Sequence, residues 1–273
     1  MALVPFPGAA QPAPDDDRHI HLTDPDVFED AGAKMSFLDH LDELRNRLIY
    51  SVYALVFGCI VAFIFINRIF TFVMKPLQEM LPPGGTLMYT QGGEAFMLYI
   101  KIGALAGLVI AIPIILWQLW LFIAPGLYSH EKRFAIPFVL FSTIFFLIGA
   151  LFSHYVAFPW TWKFFISFET PYMKFMPKIS EAFSLYVTML LGFGLIFQMP
   201  TIVMFLARMG VVSARFLLRH TKYAVLIIFI ISALITPTPD IPTQCAFALP
   251  MCALYLLGVL MAWVFKKRDK PAA

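Results

Sequence analysis

Two carboxylates stand beside basic residues at the edges of long apolar runs. Glu43 lies in MSFLDHLDELRNRL, residues 35–48, directly before the first run, and Glu131 lies in FIAPGLYSHEKR between the second and third runs. Nearby positive charges keep such carboxylates ionised. An ionised carboxylate can accept two parallel hydrogen bonds from one guanidinium group. These segments can therefore form a split site for a ligand that carries two guanidinium groups.

Local ion pairing accounts for the same residues. In a helix, Glu43 lies four residues before Arg47, an orientation that favours an intrahelical pair worth roughly 0.2–0.5 kcal/mol. Glu131 can pair in the same way with the basic residues that follow it. Residue spacing alone leaves both interpretations open.

The elements that must position these residues are membrane spans. The chain has 273 residues, 60% hydrophobic and 14% charged, whereas an average soluble domain has about 25% charged residues. The apolar runs are 48–66, 102–121, 134–158, 182–207, 223–236 and 245–265. Because a helix needs about 20 apolar residues to cross a bilayer, we predict an all-α polytopic membrane protein with six transmembrane helices.

The distribution of lysine and arginine predicts the orientation. Basic residues concentrate on the side that holds Arg45 and Arg47, and the positive-inside rule places that side in the cytoplasm. The fifth run, 223–236, is shorter than a usual span. If it did not cross, the basic tail 266–270 would lie on the opposite side, so we count it as a short span. Both termini are then cytoplasmic.

The spans lie within a predicted membrane domain of residues 35–265. A Pro- and Asp-rich leader, residues 1–34, precedes it and is expected to be disordered. A basic cytoplasmic tail, residues 266–273, follows it. Prolines inside spans two, four and six predict bent helices; they are Pro113, Pro200 and Pro250.

Few polar side chains fall within or beside the spans. Gln198, in the fourth run, predicts a hydrogen bond to a neighbouring helix. His154 lies near the outer end of the third run and is interpreted as an interfacial polar group, and Lys101 can extend its ammonium towards the surface. Asp240 is expected to form a turn by accepting backbone N–H groups. Because transporters usually keep charges at membrane depth, these spans argue against ion-coupled transport.

The remaining sequence features exclude several classes of protein. We find no nucleophile elbow, P-loop or HExxH motif, and we predict no enzyme and no catalytic residue. The cysteines are isolated in apolar runs, so neither a metal site nor a disulfide framework is expected. Nucleic-acid binding is not expected either, since no basic face occurs on a soluble module. A small-solute transporter or channel stays the alternative function, with a scaffold lacking ligand specificity as a third.

Several motifs together resemble the TatC family, the core membrane component of the twin-arginine protein translocase. The matching segments are FLDHLDELRNRL before span one, GGEAFMLYIKIGALAGLVIAIPIILWQLWLFIAPGLYSHEKR across span two, GFGLIFQMP in span four and ITPTPDIPTQ before span six. Each motif is weak alone, and the set is specific. The resemblance implies a multi-pass protein of the bacterial cytoplasmic (inner) membrane, with six spans and both termini in the cytoplasm.

The resemblance also implies a function and its residues. The protein would be the signal-peptide receptor and scaffold of the translocase, with Glu43 and Glu131 binding the paired arginines of precursor signal peptides. The rest of the implied recognition surface is Arg45, Phe122, Pro125, Leu127 and Tyr128. The positions implied in partner docking and assembly are Gln198, Asp240 and Gln244.

The implied partners are twin-arginine signal peptides of folded precursors, TatA- and TatB-like single-span proteins, membrane lipid, and further copies of the chain within a larger complex. No cofactor is implied, and transport is expected to depend on the proton-motive force. Many family members carry a glutamate where this chain has Gln198. A neutral amide cannot carry a proton, although it can still hydrogen-bond a partner helix.

Overall fold

The computed structural model describes residues 25–81, 85–123, 135–236 and 240–265. These residues form ten α-helices and one π-helical turn. The elements are α1 (Pro25–Ile64), α2 (Ile66–Glu79), α3 (Glu94–Ile123), α4 (Ala135–Phe152), the π turn (Ser153–Ala157), α5 (Phe158–Ile166), α6 (Ile179–Ile196), α7 (Met199–Arg208), α8 (Ala214–Arg219), α9 (Thr221–Ile235) and α10 (Ile241–Val264).

The six predicted apolar runs lie in helical segments, which confirms the all-α polytopic fold. Within the described residues, five segments are long and apolar enough to cross a membrane: His40–Ile64, Glu94–Ile123, Ile136–Ile166, Ile179–Arg208 and Ile241–Val264. The sixth is α9, a shorter apolar helix of 15 residues, or about 22 Å at 1.5 Å per residue. We call the membrane surface where the first span begins, at His40, the near side, and the surface where it ends, at Ile64, the far side.

Two spans are interrupted in different ways. The third runs through α4, the π turn and α5, and the π turn buries Ser153, His154 and Ala157. The fourth is divided into α6 and α7 at Phe197 and Gln198, and Pro200 lies in the first turn of α7. Helical hydrogen bonding resumes directly after the break, since the Ile202 N–H donates to the carbonyl of Gln198 over 2.9 Å.

The other two prolines that were predicted to bend spans lie within continuous helices. Pro113 falls inside α3 and Pro250 inside α10. A proline in a helix removes one backbone donor, and here each helix continues beyond it to the end of its span.

The chain divides into two compact units, residues 1–44 and 45–273. The described part of the first unit is the initial stretch of α1, which begins at Pro25. Residues 25–34 of the predicted leader are therefore helical, and residues 1–24 lie outside the described residues, as does the predicted tail 266–273. The second unit contains the apolar core described next.

The main core of the second unit is aromatic. Phe158, Tyr186 and Phe193 are fully buried, and Trp162 is nearly so. The Phe158 ring meets the Tyr186 ring edge-on, with centroids 5.4 Å apart. Side chains from α2, α3, α6 and α10 complete this cluster, and a second cluster joins α9 to α10. Because lipid tails are as apolar as the helix surfaces, the hydrophobic effect does not drive spans together, and close packing of this kind must hold them.

Glycines allow two close helix crossings. A Cβ on Gly107 of α3 would lie 2.6 Å from the Cα of Cys59 in α1, and a Cβ on Gly58 would overlap the Gly107 carbonyl oxygen. A Cβ on Gly149 of α4 would similarly lie 2.6 Å from the Phe193 carbonyl oxygen of α6. Small residues at such points let backbones approach, as is common between transmembrane helices.

The far side carries an additional helix and a tethered connection. One face of α2 is buried through Val73, Met74 and Leu77, so this helix packs on the bundle; it is not among the helices that are long and apolar enough to cross a membrane. Beyond it, Met88 accepts a hydrogen bond of 2.8 Å from the N–H of Ile179. This bond ties the connection before α3 to the first residue of α6.

Candidate functional site

Glu43 lies in a helix at the near-side membrane boundary. The whole segment 35–48 is helical, because α1 includes all of it. Glu43 is half-buried, whereas Asp42 and Arg45 are exposed. The candidate carboxylate therefore falls within the first turn of the span that begins at His40.

The second candidate carboxylate lies outside the described residues. Glu131 belongs to the segment 124–134, which the structure does not describe, and so do Pro125, Leu127 and Tyr128. The joining of Glu43 and Glu131 in one site therefore stays a prediction. Phe122 is described, half-buried in the last turn of α3.

An aromatic cluster holds the helices on either side of this segment. Trp120, near the end of α3, is 1% exposed. Its ring lies 4.4 Å from that of Phe138 in α4 and 4.9 Å from that of Phe205 in α7, measured between centroids. The end of α3 and the start of α4 are thus fixed against each other, so the segment 124–134 connects two positioned helix ends.

Gln198 hydrogen-bonds within the chain. Its side chain is 6% exposed, and its Nε2 donates to the backbone carbonyl of Ser142 in α4 over 2.8 Å. This is the bond to a neighbouring helix that the sequence predicts. Docking of a partner helix at Gln198, which the resemblance implies, stays a prediction and would have to reach a buried amide.

We expect Gln198→Leu to lower the free energy of unfolding by about 0.6 kcal/mol and by no more than about 1.7 kcal/mol, the range measured for interhelical hydrogen bonds in a membrane protein. Thermal unfolding of the purified protein in detergent measures the change. Thr188→Val is the matched control, because its Oγ1 donates within α6, to the Ser184 carbonyl over 2.9 Å. An equal loss in both variants would contradict an interhelical role for Gln198.

Asp240 and Gln244 organise the junction of α9 and α10. Asp240 is the N-cap of α10, and its carboxylate accepts a 2.8 Å hydrogen bond from the N–H of Thr243. Gln244 Nε2 donates to the carbonyl of Phe229 in α9 over 2.9 Å, and Ser232 Oγ donates to the carbonyl of Gln244 over 2.7 Å. The turn-forming interpretation of Asp240 is consistent with this cap, and the docking role implied for both residues stays a prediction.

We expect Asp240→Ala to lower the free energy of unfolding by about 0.5–2 kcal/mol, the usual effect of removing an N-cap side chain. Asp240→Asn should change it little, because asparagine caps helices about as well as aspartate. Thermal unfolding of the three proteins, with complex assembly measured in parallel, checks this. If the asparagine variant is as unstable as the alanine variant, the negative charge matters more than the cap.

A buried polar pair on the far side was not predicted from the sequence. His154 is 3% exposed, its Nδ1 lies 2.8 Å from the hydroxyl of Tyr186, and its ring stacks on Phe72 at 4.2 Å. The interpretation of His154 as an interfacial group is therefore wrong, because α2 and α6 cover it. No periodicity reveals this pair, since its two members are far apart along the chain.

The fold and the placement of its polar groups define a multi-pass helical membrane protein in which buried polar side chains join helices. A family model for the Sec-independent protein translocase protein (TatC) matches residues 39–250. The chain belongs to the TatC family.

Individual relatives cover nearly the whole chain. The Sec-independent protein translocase protein TatC of Desulforapulum autotrophicum is 40% identical over 237 residues, which make up 86% of this chain and 87% of that protein. The protein of the same name from Koribacter versatilis is 39% identical over 247 residues, 89% of this chain and 91% of that protein. A crystal structure described as the twin arginine translocase receptor TatC matches with a TM-score of 0.70 and 35% identity, covering 82% of this chain and 97% of that one.

Proposed function

We propose that this protein is the signal-peptide receptor and scaffold of a twin-arginine translocase. The observation that carries the proposal is the extent of the family match, residues 39–250, which includes the segments of both candidate carboxylates. A similar solved protein is itself described as a translocase receptor. Solute transport, the alternative, is set aside because the relatives are protein translocase components.

The proposed recognition uses charge and shape together. Glu43 and Glu131 each accept a fork of hydrogen bonds from one arginine of the signal peptide, which a lysine cannot supply with the same geometry. Half-burial of Glu43 supports this role, since partial exclusion of water strengthens a charged hydrogen bond. In this proposal Phe122, Pro125, Leu127 and Tyr128 contact the neighbouring residues of the peptide.

The proposal places the near side in the bacterial cytoplasm, with the protein in the inner membrane. The excess of lysine and arginine on this side supports that orientation. A precursor would then meet Glu43 before any part of it crosses the membrane. TatA- and TatB-like single-span proteins and further copies of this chain would join the receptor, and transport would use the proton-motive force.

Site-specific photocrosslinking tests the receptor. A photoreactive residue at position 43 or 131 should form an adduct with a twin-arginine signal peptide in membranes, both with and without an energised state. A crosslinker at position 216 is the matched control, because Phe216 is exposed on α8 at the same side but lies outside the proposed site.

Competition completes the test. An unlabelled twin-arginine peptide should suppress both adducts at concentrations roughly 5- to 150-fold lower than a twin-lysine peptide needs, which corresponds to about 1–3 kcal/mol for charge-assisted bonds. Equal competition by the two peptides, or equal labelling from position 216, would overturn the proposal.

A further inference from the structure

An open groove of about 490 Å³ lies between α1, α3 and α6 in the second unit. Leu55 and Cys59 of α1 form one wall, beside the glycine crossing of α1 and α3. Its volume falls within the usual range for small-molecule sites, about 300–1,000 Å³. The groove is open and its lining residues lie in spanning helices, so we expect its occupant to come from the bilayer.

One end of the groove carries a positive charge. Lys101 of α3 lines it and is exposed. The apolar run 102–121 begins immediately after this residue, which places Lys101 at the far-side boundary of the hydrocarbon layer. A lysine at this depth needs an anion or must extend its ammonium to the surface.

The carboxylates of the lining helices on that side are engaged elsewhere. Glu94, the acidic residue of α3, accepts hydrogen bonds from the N–H of Thr90 over 2.8 Å and from Ser180 Oγ over 3.4 Å. Glu181, the acidic residue of α6, lies 4.0 Å from Lys178 Nζ. Glu94 is therefore hydrogen-bonded to neutral donors, and Glu181 lies beside a different lysine, so an external anion can bind at Lys101.

Beyond Lys101 the lining of the groove is mainly apolar, and its polar members are Ser184 and Thr188 of α6. On α3 it extends to Leu108 and on α6 from Phe183 to Leu191, a length of about 10–12 Å at 1.5 Å per residue. One leaflet of a hydrocarbon core is about 15 Å thick. The groove thus spans most of one leaflet, starting at its charged surface.

We propose that this groove binds one glycerophospholipid with an anionic headgroup from the far-side leaflet. The phosphate lies at Lys101 Nζ and one acyl chain lies along Leu105, Leu108 and Leu191. A partner's transmembrane helix fits less well, because it needs a contact surface across about 30 Å of bilayer, more than twice the length of the groove. The lipid site is independent of the proposed receptor function.

Titration with a defined lipid tests the charged end. Palmitoyl-oleoyl phosphatidylglycerol is added to the full-length protein in detergent, and bound lipid is counted by native mass spectrometry. Lys101→Gln should weaken binding about fivefold, the usual effect of one basic residue near an anionic lipid surface. Lys101→Arg should retain binding, and Lys163→Gln is the control, since Lys163 is an exposed far-side lysine outside the groove.

Filling the groove tests the acyl-chain position. Ala104 lines the groove, and Ala104→Phe should lower lipid occupancy while Lys101 remains. Ala253→Phe is the control, because Ala253 is an exposed alanine of α10 outside the groove. If lipid binding is unchanged in both Lys101→Gln and Ala104→Phe, the proposal is wrong.

A photoreactive residue at position 104, placed in intact membranes that contain the other translocase subunits, identifies the occupant. A mass increase equal to one phospholipid supports the proposal. An adduct with a single-span protein or with a second copy of the chain overturns it in favour of a protein contact.

Discussion

Replacing Glu43 by glutamine is expected to weaken binding of a twin-arginine signal peptide by roughly 10- to 150-fold, the effect of losing a hydrogen bond to a charged group. Glutamine keeps the size of the side chain, but it removes the charge and turns one acceptor oxygen into a donor. That donor would face the donors of a guanidinium group. Equilibrium binding of a fluorescent signal peptide to the purified protein in nanodiscs measures the change.

The neighbouring carboxylate supplies the control. Asp42 is exposed on α1 and points about 100° away from Glu43 around the helix, so Asp42→Asn should have little effect. Glu43→Gln should also reduce the preference for arginine over lysine in the peptide, which a general change of surface charge would not do. Equal effects of the two substitutions would contradict a specific role for Glu43.

Replacing Gly107 by alanine is expected to lower the free energy of unfolding by about 1–3 kcal/mol, the usual effect of overpacking. The new Cβ would lie 2.6 Å from the Cα of Cys59. A backbone atom cannot rotate away, so α1 and α3 would have to separate along the crossing. Alanine otherwise favours a helix over glycine by about 1 kcal/mol, which makes a net loss of stability informative. Thermal unfolding in detergent gives the measurement.

Gly192→Ala is the matched control for Gly107→Ala. Gly192 also lies in a spanning helix, and its new Cβ would meet only the Cγ2 of Ile235 at 3.4 Å, an ordinary contact. That variant should be as stable as the parent or slightly more stable. If Gly107→Ala unfolds at the same temperature as Gly192→Ala, the close crossing of α1 and α3 is not needed for stability.

The spans could be predicted because lipid imposes a simple rule on sequence. A helix that crosses hydrocarbon must be apolar for most of its length. All six runs are apolar, and only the fifth is shorter than a usual span. The short fifth run was the ambiguous case, and α9 is indeed a helix of only 15 residues. The apolar runs therefore predict the fold class without any knowledge of tertiary contacts.

Interruptions within the spans could not be predicted, because they depend on neighbouring helices. Pro200 indicates a bend, but the break in the fourth span falls earlier, at Phe197 and Gln198. The π turn Ser153–Ala157 contains no proline itself, although Pro159 follows it in the first turn of α5, and hydropathy does not reveal the turn. The amphipathic α2 was also missed, although the apolar residues Ile69, Val73 and Leu77 recur at helical spacing.

In the candidate site, too, the local features could be predicted from the sequence, and the contacts between distant residues could not. The family motifs identify Glu43, and its helix is described, but motif matching cannot indicate that Gln198 hydrogen-bonds to Ser142 or that His154 bonds to Tyr186. Those bonds join residues distant along the chain, and only the packing of the spans brings them together. Asp240 and Thr243 are close along the chain, which is why a hydrogen bond from a backbone N–H to Asp240 could be anticipated.

The π turn fixes the number of residues that the third span must have between its two contacts with α6. Gly149 before it and Phe158 after it both contact α6. Nine α-helical steps of about 100° would direct these two residues to opposite faces, whereas the wider turn absorbs one step and brings them to within about 80° of each other. A single-codon insertion or deletion between them would therefore rotate the remainder of the span and turn its buried aromatic rings towards lipid.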